Sequence, residues 1–259
     1  MPERVLILGG TAEAASLAER LTAQPGIGVT TALAGRTRVP RSLPGHVRVG
    51  GFGGAQGLAA YLRTHGIDQL VDATHPDAAR ITANATRAAH LTGVPITRLT
   101  RPPWRPGPGD RWLRVPDLAA AASAVSGVPG PVLLAVGRHA SAAFAACRAP
   151  SLIARVAEES AAPPVPGART VVARGPFELA EERGFFADHG ITAVVCKNSG
   201  GAGAAAKLTV ARERGCPVIM VARPPEPPLP RAFAVADAER RVTAHAERFG
   251  RSTWAWRGS

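Results

Sequence analysis

Cysteine is scarce in this chain: Cys147, Cys196 and Cys216 are the three among 259 residues. None forms a C-x-x-C pair and the number is odd. Neither a disulfide framework nor a Cys-rich metal site is expected, and a reducing cytoplasm fits. Long apolar runs are missing too. Gly and Pro interrupt every candidate before the ~18–20 residues that a bilayer span needs. Met1-Pro2-Glu3-Arg4 runs straight into a strand-like segment, unlike a secretory signal. A cytoplasmic protein with no membrane partner is therefore expected. Tyrosine occurs once, and lysine only as Lys197 and Lys207. With no lysine-rich run, zinc-finger spacing or aromatic RNA-binding signature, nucleic acid is not the expected partner. G-x-S-x-G, H-E-x-x-H and G-x-x-x-x-G-K-[ST] are absent, and nothing demands a metal.

What is present is apolar material and positive charge. Hydrophobic residues make up 46% and charged ones 19%, enough for real cores and too little charge for a disordered chain. The net charge of +12 raises the local concentration of anionic ligands. A generally basic surface from an Arg-rich composition is the plainer reading of the same number.

Short β-type runs alternate with helical patterns from end to end. Val5 to Leu8, Val29 to Leu33, His46 to Val49, Gln69 to Asp72 and Pro95 to Arg98 read as strands. Ala12 to Thr22, Leu58 to Leu62 and Asp77 to Leu91 read as helices. Such alternation predicts right-handed crossovers and parallel sheets. Arg101 to Arg111, with four prolines and two glycines, reads as a linker. The scheme then repeats. Strands are predicted at Val132 to Val136, Leu152 to Val156, Thr170 to Ala173, Ile191 to Cys196 and Pro217 to Val221. Helices are predicted at Phe177 to His189, Ala204 to Arg214 and Ala236 to Phe249. The expected division is residues 1–100 and 101–259.

Ligands of such sheets lie beyond the carboxyl ends of the strands, so the turns there carry the candidate chemistry. Gly9-Gly10-Thr11-Ala12-Glu13 follows the first strand. Glycines let a phosphate approach the backbone, and the helix start offers free N–H groups; an ordinary tight turn is the alternative. Gly35, Arg36 and Arg38 follow the second strand. NAD-binding units place an acidic residue near there, whereas Arg suits a 2′-phosphate; a solvated surface arginine competes. Gly50-Gly51-Phe52-Gly53-Gly54 has more glycine than a turn needs, which suggests close approach to a ligand, with Gly51 and Phe52 the candidate contacts, or to another backbone; a merely flexible loop is the alternative. Thr74 and His75, in Asp72-Ala73-Thr74-His75-Pro76, stand where a nicotinamide ribose or substrate can sit, or serve as cap and packing residues. In the second half Lys197-Asn198-Ser199-Gly200-Gly201, with Lys207 beyond, suits carboxylates or phosphates; helix capping by Asn198 and Ser199 is the alternative.

These pieces, in this order, resemble the precorrin-6A reductase family, including its cobalt-precorrin members. Ile7 to Ala14, Ala34-Gly35-Arg36, Gly50 to Gly54, Asp72 to Pro76, Arg101-Pro102-Pro103-Trp104, Gly175-Pro176-Phe177 and Lys197 to Gly201 carry the resemblance across most of the chain. Asp77 departs from it, since an aromatic residue is expected after the His-Pro pair. The resemblance implies two Rossmann-like α/β domains with parallel sheets and an active-site cleft between them. It implies NADPH as hydride donor, held mainly by the first domain; Gly9, Gly10, Thr11, Ala12, Glu13, Gly35, Arg36, Arg38, Gly51, Phe52 and Thr74 are the expected cofactor contacts. It implies precorrin-6A, a polycarboxylate, as the partner; a monomer or weak homo-oligomer is expected. His75, Lys197, Asn198, Ser199, Gly200, Gly201 and Lys207 are the expected substrate contacts. His75 or Lys197 is the candidate proton donor, with solvent an alternative. A reductase of another small anion, a short-chain-type dehydrogenase and an NADPH sensor without turnover stay as competing readings.

Overall fold

The computed structural model describes residues 2–34, 42–137, 141–147, 151–158 and 165–250. The chain begins β1 (Glu3–Leu8), α1 (Ala12–Thr22), β2 (Ile27–Leu33), β3 (His46–Val49), α2 (Gly54–Thr64), β4 (Gln69–Asp72), α3 (Ala79–Thr92), β5 (Ile96–Leu99). It continues β6 (Trp112–Val115), α4 (Leu118–Val125), β7 (Pro131–Ala135), α5 (Ser141–Phe144), β8 (Ser151–Val156), β9 (Arg169–Val172), α6 (Leu179–Asp188), β10 (Ala193–Lys197), α7 (Ala206–Glu213), β11 (Val218–Val221). It closes with β12 (Arg231–Ala232) and α8 (Val235–Gly250). Residues 1–101 and 224–259 form one unit and 102–223 the other.

Each unit holds one six-stranded sheet, ordered β12-β5-β4-β1-β2-β3 and β6-β11-β10-β7-β8-β9. Every described pairing is parallel. Parallel strands are covered on both faces, and their sequences are apolar on both. In β1, Val5 and Ile7 face the core shared with Leu17 and Leu21 of α1. Leu6 and Leu8 face the opposite core, with Leu58 and Leu62 of α2 and Ala85 of α3. In the second unit Val132 and Leu134 of β7 pack with Ala121 and Val125 of α4. Leu133 turns to the other side, with Phe186 of α6 and Val210 of α7. Each such aliphatic side chain, fully buried, contributes about 1.5–3 kcal/mol.

The expected single break near residue 100 needs correction at its far end. The chain returns to the first unit at Pro224. Ala238 and Val242 of α8 are buried in the same core as Val5 and Ile7, and β12 extends the sheet by pairing with β5. Glu3 adds polar ties: its Oε1 accepts from Gln69 Nε2 at 2.7 Å and lies 2.7 Å from His245 Nδ1. Both sheets have the same five-strand core, and each takes its sixth strand from a sequence-distant place. β12 comes after the whole second unit, and β6 comes before the other strands of its own sheet. Among the described residues no helix is long and apolar enough to cross a membrane.

Candidate active site

In the first unit the strand order reverses between β1 and β4, which is where a doubly wound sheet opens a crevice at its carboxyl edge. Thr11 joins the two strand ends. Its Oγ1 donates to the Ala73 carbonyl at 2.8 Å and accepts from the Ala14 N–H at 3.1 Å. Gly9 lies close to β2, where a Cβ would sit 3.0 Å from Thr31 Cγ2. Gly10 has φ +108°, and a Cβ there would meet nothing within 4 Å. The turn is therefore open above the start of α1, where Ala12 and Glu13 form the first helical turn. Glu13 Oε1 lies 3.6 Å from Arg101 Nη1. Thr74 is buried, and its hydroxyl donates to Asp72 Oδ1 at 2.7 Å. Thr11, Glu13, Thr74, Pro76, Thr100 and Arg101 line a small concavity at this edge.

The His75 side chain is 43% exposed. Its Nδ1 accepts from the Asp77 N–H at 3.2 Å, which assigns the proton of the neutral ring to Nε2. Asp77 Oδ2 lies 3.9 Å from the same Nδ1, so a carboxylate stands where an aromatic neighbour was expected. Gly51 is exposed. The Phe52 ring lies 4.0 Å from Arg48 Cζ and meets Tyr61 edge-on at 5.2 Å. Arg48 also donates to the Gly50 and Gly51 carbonyls at 2.6 and 2.8 Å, so Arg48 and Phe52 together hold the loop. Gly35, Arg36 and Arg38 lie outside the described residues.

The matching reversal in the second unit lies between β7 and β10. β10 ends at Lys197, and the turn after it is clamped by the segment that opens this unit. Trp104 N–H donates to Asn198 Oδ1 at 2.8 Å, and Asn198 Nδ2 donates back to the Trp104 carbonyl at 3.1 Å. The Trp104 indole N–H donates to the Gly201 carbonyl at 3.0 Å. Arg223 donates to the Asn198 and Ser199 carbonyls at 2.7 and 3.0 Å. Gly200 is buried so tightly that a Cβ would lie 2.1 Å from the Pro102 carbonyl oxygen.

Asn198 is a structural clamp: both ends of its amide are taken by the Trp104 backbone. Lys207 sits beyond the turn on α7, 5% exposed. Its Nζ donates to the Ala204 carbonyl and lies 4.9 Å from the Trp104 ring centroid. Burial pushes its pKa down, Cys196 and Glu182 opposing and Arg155 adding to the shift. The neighbouring Cys196 thiol is pushed up to about 11 by burial, with Lys207 pulling against that. Lys197 and Ser199 stay half-buried at the edge.

Arg98 and Asp72 were legible in the sequence only as strand-end residues, without a role. Arg98 Nη1 lies 3.1 Å from Asp72 Oδ1 and donates to the Asp72 and Thr74 carbonyls at 3.0 and 2.9 Å. Thr82 Oγ1 donates to Asp72 Oδ2 at 2.7 Å, and Arg98 Nη2 reaches Glu226 Oε1 at 3.4 Å. The signal was there: adjacent apolar strands, Gln69-Leu70-Val71-Asp72 and Ile96-Thr97-Arg98-Leu99, each carry one charge, and buried charges pair. A second such pair, Arg155 with Glu182 at 2.7 and 2.9 Å, lies in the other unit. Arg155 Cζ stacks 4.2 Å from the Phe177 ring centroid, which makes the Gly175-Pro176-Phe177 turn a packing element.

The family model described as Precorrin-6x reductase CbiJ/CobK matches residues 4–245. A curated precorrin-6A reductase from Rhodococcus erythropolis is 46% identical over 225 residues, covering 87% of this chain and 91% of the relative. One from Rhodobacter capsulatus is 45% identical over 225 residues, covering 86% and 89%. A solved structure of CobK precorrin-6A reductase superposes with a TM-score of 0.88 at 41% identity, covering 94% of this chain and 97% of that one.

Proposed function

This chain belongs to the precorrin-6x reductase family, and from that premise we propose that it is an NADPH-dependent oxidoreductase of cobalamin biosynthesis. It reduces one macrocycle double bond of precorrin-6A, a CH–CH reduction that gives precorrin-6B. The observation that carries the cofactor half is the Thr11–Ala73 link, which brings the glycine turn of β1 and the end of β4 together where the strand order reverses.

The residues present fit a dinucleotide. The open space above Gly10 is a cradle that any side chain would fill, and the start of α1 offers backbone N–H groups to a diphosphate. Gly9, Gly10, Thr11 and Ala12 would hold that group, with Thr74 beside it. Arg36 and Arg38 would read the 2′-phosphate, a role argued from their place after β2 in sequence. The bound cofactor supplies a hydride, and the protein's part is chiefly positioning. The macrocycle's carboxylates match the net charge of +12; Lys197 and Ser199 offer the second unit's polar contacts. The proton has two candidate sources in the chain, His75 Nε2 and Lys197 Nζ. A short-chain-type mechanism lacks its Tyr-x-x-x-Lys pair: Tyr61 is the one tyrosine, and its ring stacks at 3.9 Å on His65, the residue that ends α2.

The test is NADPH oxidation by the purified protein with precorrin-6A, with NADH as control. Oxidation that needs the substrate, prefers NADPH and runs in step with the change in macrocycle spectrum is expected. Tight NADPH binding without turnover would overturn the catalytic reading and leave a sensor or another substrate.

A further inference from the structure

A doubly wound sheet holds the two halves of a dinucleotide on the two sides of the point where its strand order reverses. In this unit β1, β2 and β3 make one half and β4, β5 and β12 the other. The glycine turn serves the first half. Thr100 and Arg101, directly after β5, have been given no part.

Both are built into the crevice. Thr100 is 5% exposed and held by β12, its N–H donating to the Ala232 carbonyl at 3.0 Å. Its Oγ1 is buried without a hydrogen-bond partner, a rare and costly state for a hydroxyl, and the residue lines the concavity next to Thr11 and Thr74. Arg101 lines the same concavity, 23% exposed, with Nη1 3.6 Å from Glu13 Oε1. That contact answers an electrostatic difficulty. Glu13 sits in the first turn of α1, where its carboxylate repels a diphosphate, and the guanidinium offsets it. The carboxylate, 3.6 Å from Nη1, draws the guanidinium toward the start of α1. A guanidinium fork matches phosphate oxygens two at a time.

We propose that Arg101, aimed by Glu13 and joined by the Thr100 hydroxyl, is the recognition element for the nicotinamide-side phosphate of the dinucleotide. The inference rests on the cofactor reading above, and its test separates the two. Calorimetric titration would compare NADPH with adenosine 2′,5′-bisphosphate, which keeps the adenosine-side phosphate and the 2′-phosphate but lacks the second phosphate and the nicotinamide riboside.

Arg101→Ala is expected to weaken NADPH by about ten- to a hundredfold, with the bisphosphate unchanged within about twofold. Arg101→Lys keeps the charge without the fork and should recover part of the loss; it also serves if the alanine variant folds poorly. Thr100→Val should cost NADPH alone about three- to tenfold. Equal losses for both ligands, or none for NADPH, overturn the inference. A wild-type protein that binds neither ligand overturns the cofactor reading itself, and the inference with it.

Discussion

Asp72 and Arg98 form an ion pair sealed inside the first unit, 3.1 Å apart with side chains 0% and 1% exposed. They stand directly under the strand end that carries Thr74. A buried pair gains little net stability over apolar residues of the same shape, because both charges are desolvated; losing one partner strands the other. What the pair contributes is placement, since the same guanidinium binds the Asp72 and Thr74 carbonyls.

Arg98→Met should therefore destabilise the protein by about 3–5 kcal/mol, measured by urea unfolding. Adding Asp72→Asn should return part of that loss, because the stranded charge is gone. A double variant no more stable than Arg98→Met alone would show that the charge of Asp72 is not what the arginine answers.

Gly57 and Gly51 separate packing from ligand approach. A Cβ on Gly57, in α2, would lie 1.7 Å from the Phe52 carbonyl oxygen, while one on Gly51 would meet nothing within 4 Å. Gly57→Ala must move backbone and should cost about 1–3 kcal/mol or more. Gly51→Ala should stay within about 0.5 kcal/mol of wild type. If the loop approaches the cofactor, Gly51→Ala will still weaken NADPH, read by calorimetry on a protein of unchanged melting temperature. Unchanged NADPH affinity would remove Gly51 from the site.

The parallel α/β architecture was legible because central strands such as Val5 to Leu8 are apolar on both faces, and the turns after them stand out by their glycines. The edge strands were not. Trp112–Val115 is half exposed and follows a Pro-rich stretch, and Arg231–Ala232 spans two residues directly after another. Their pairing depends on which distant strand lies beside them, so the return of α8 to the first unit was hidden as well. In the candidate site, Gly9 to Thr11 and Thr74 could be placed from sequence because position along a strand fixes the sheet edge. For Asn198 and Lys207, residue type shows that a group is polar, not where its hydrogen bonds go. Here they go to Trp104 and Ala204.

Lys197 and Asn198 are adjacent, yet their substitutions should read out differently. Lys197→Ala is expected to raise KM for precorrin-6A several-fold, about three- to tenfold for one charge contact, with NADPH affinity near wild type. Asn198→Ala leaves the Trp104 N–H and carbonyl without their partner and should lower stability by about 1–3 kcal/mol, seen in thermal melts. Equal effects of Lys197→Ala on both ligands would count against its substrate role.

Lys207 makes stability depend on pH in a direction that can be worked out. Burial pushes its pKa below the ordinary 10.5. Between that lowered value and 10.5 the unfolded chain holds more protons than the folded one, so stability rises with pH through this window; below it, the cost of burying the charge is felt in full. Cys196 acts oppositely. Its thiol is raised from 9.0 to about 11, so unfolded thiolate forms first and stability falls above pH 9.0; Cys216, also raised by burial, has the same sign. The whole-protein profile mixes these contributions, but the difference between wild type and Lys207→Met isolates the lysine. Removing Lys207 also removes the charge that favours the Cys196 thiolate, which does not reverse the sign. Urea unfolding from pH 7 to 10.5 should show wild type gaining on Lys207→Met as pH rises. A flat difference would mean that Lys207 keeps its ordinary affinity for the proton despite its burial beside Trp104.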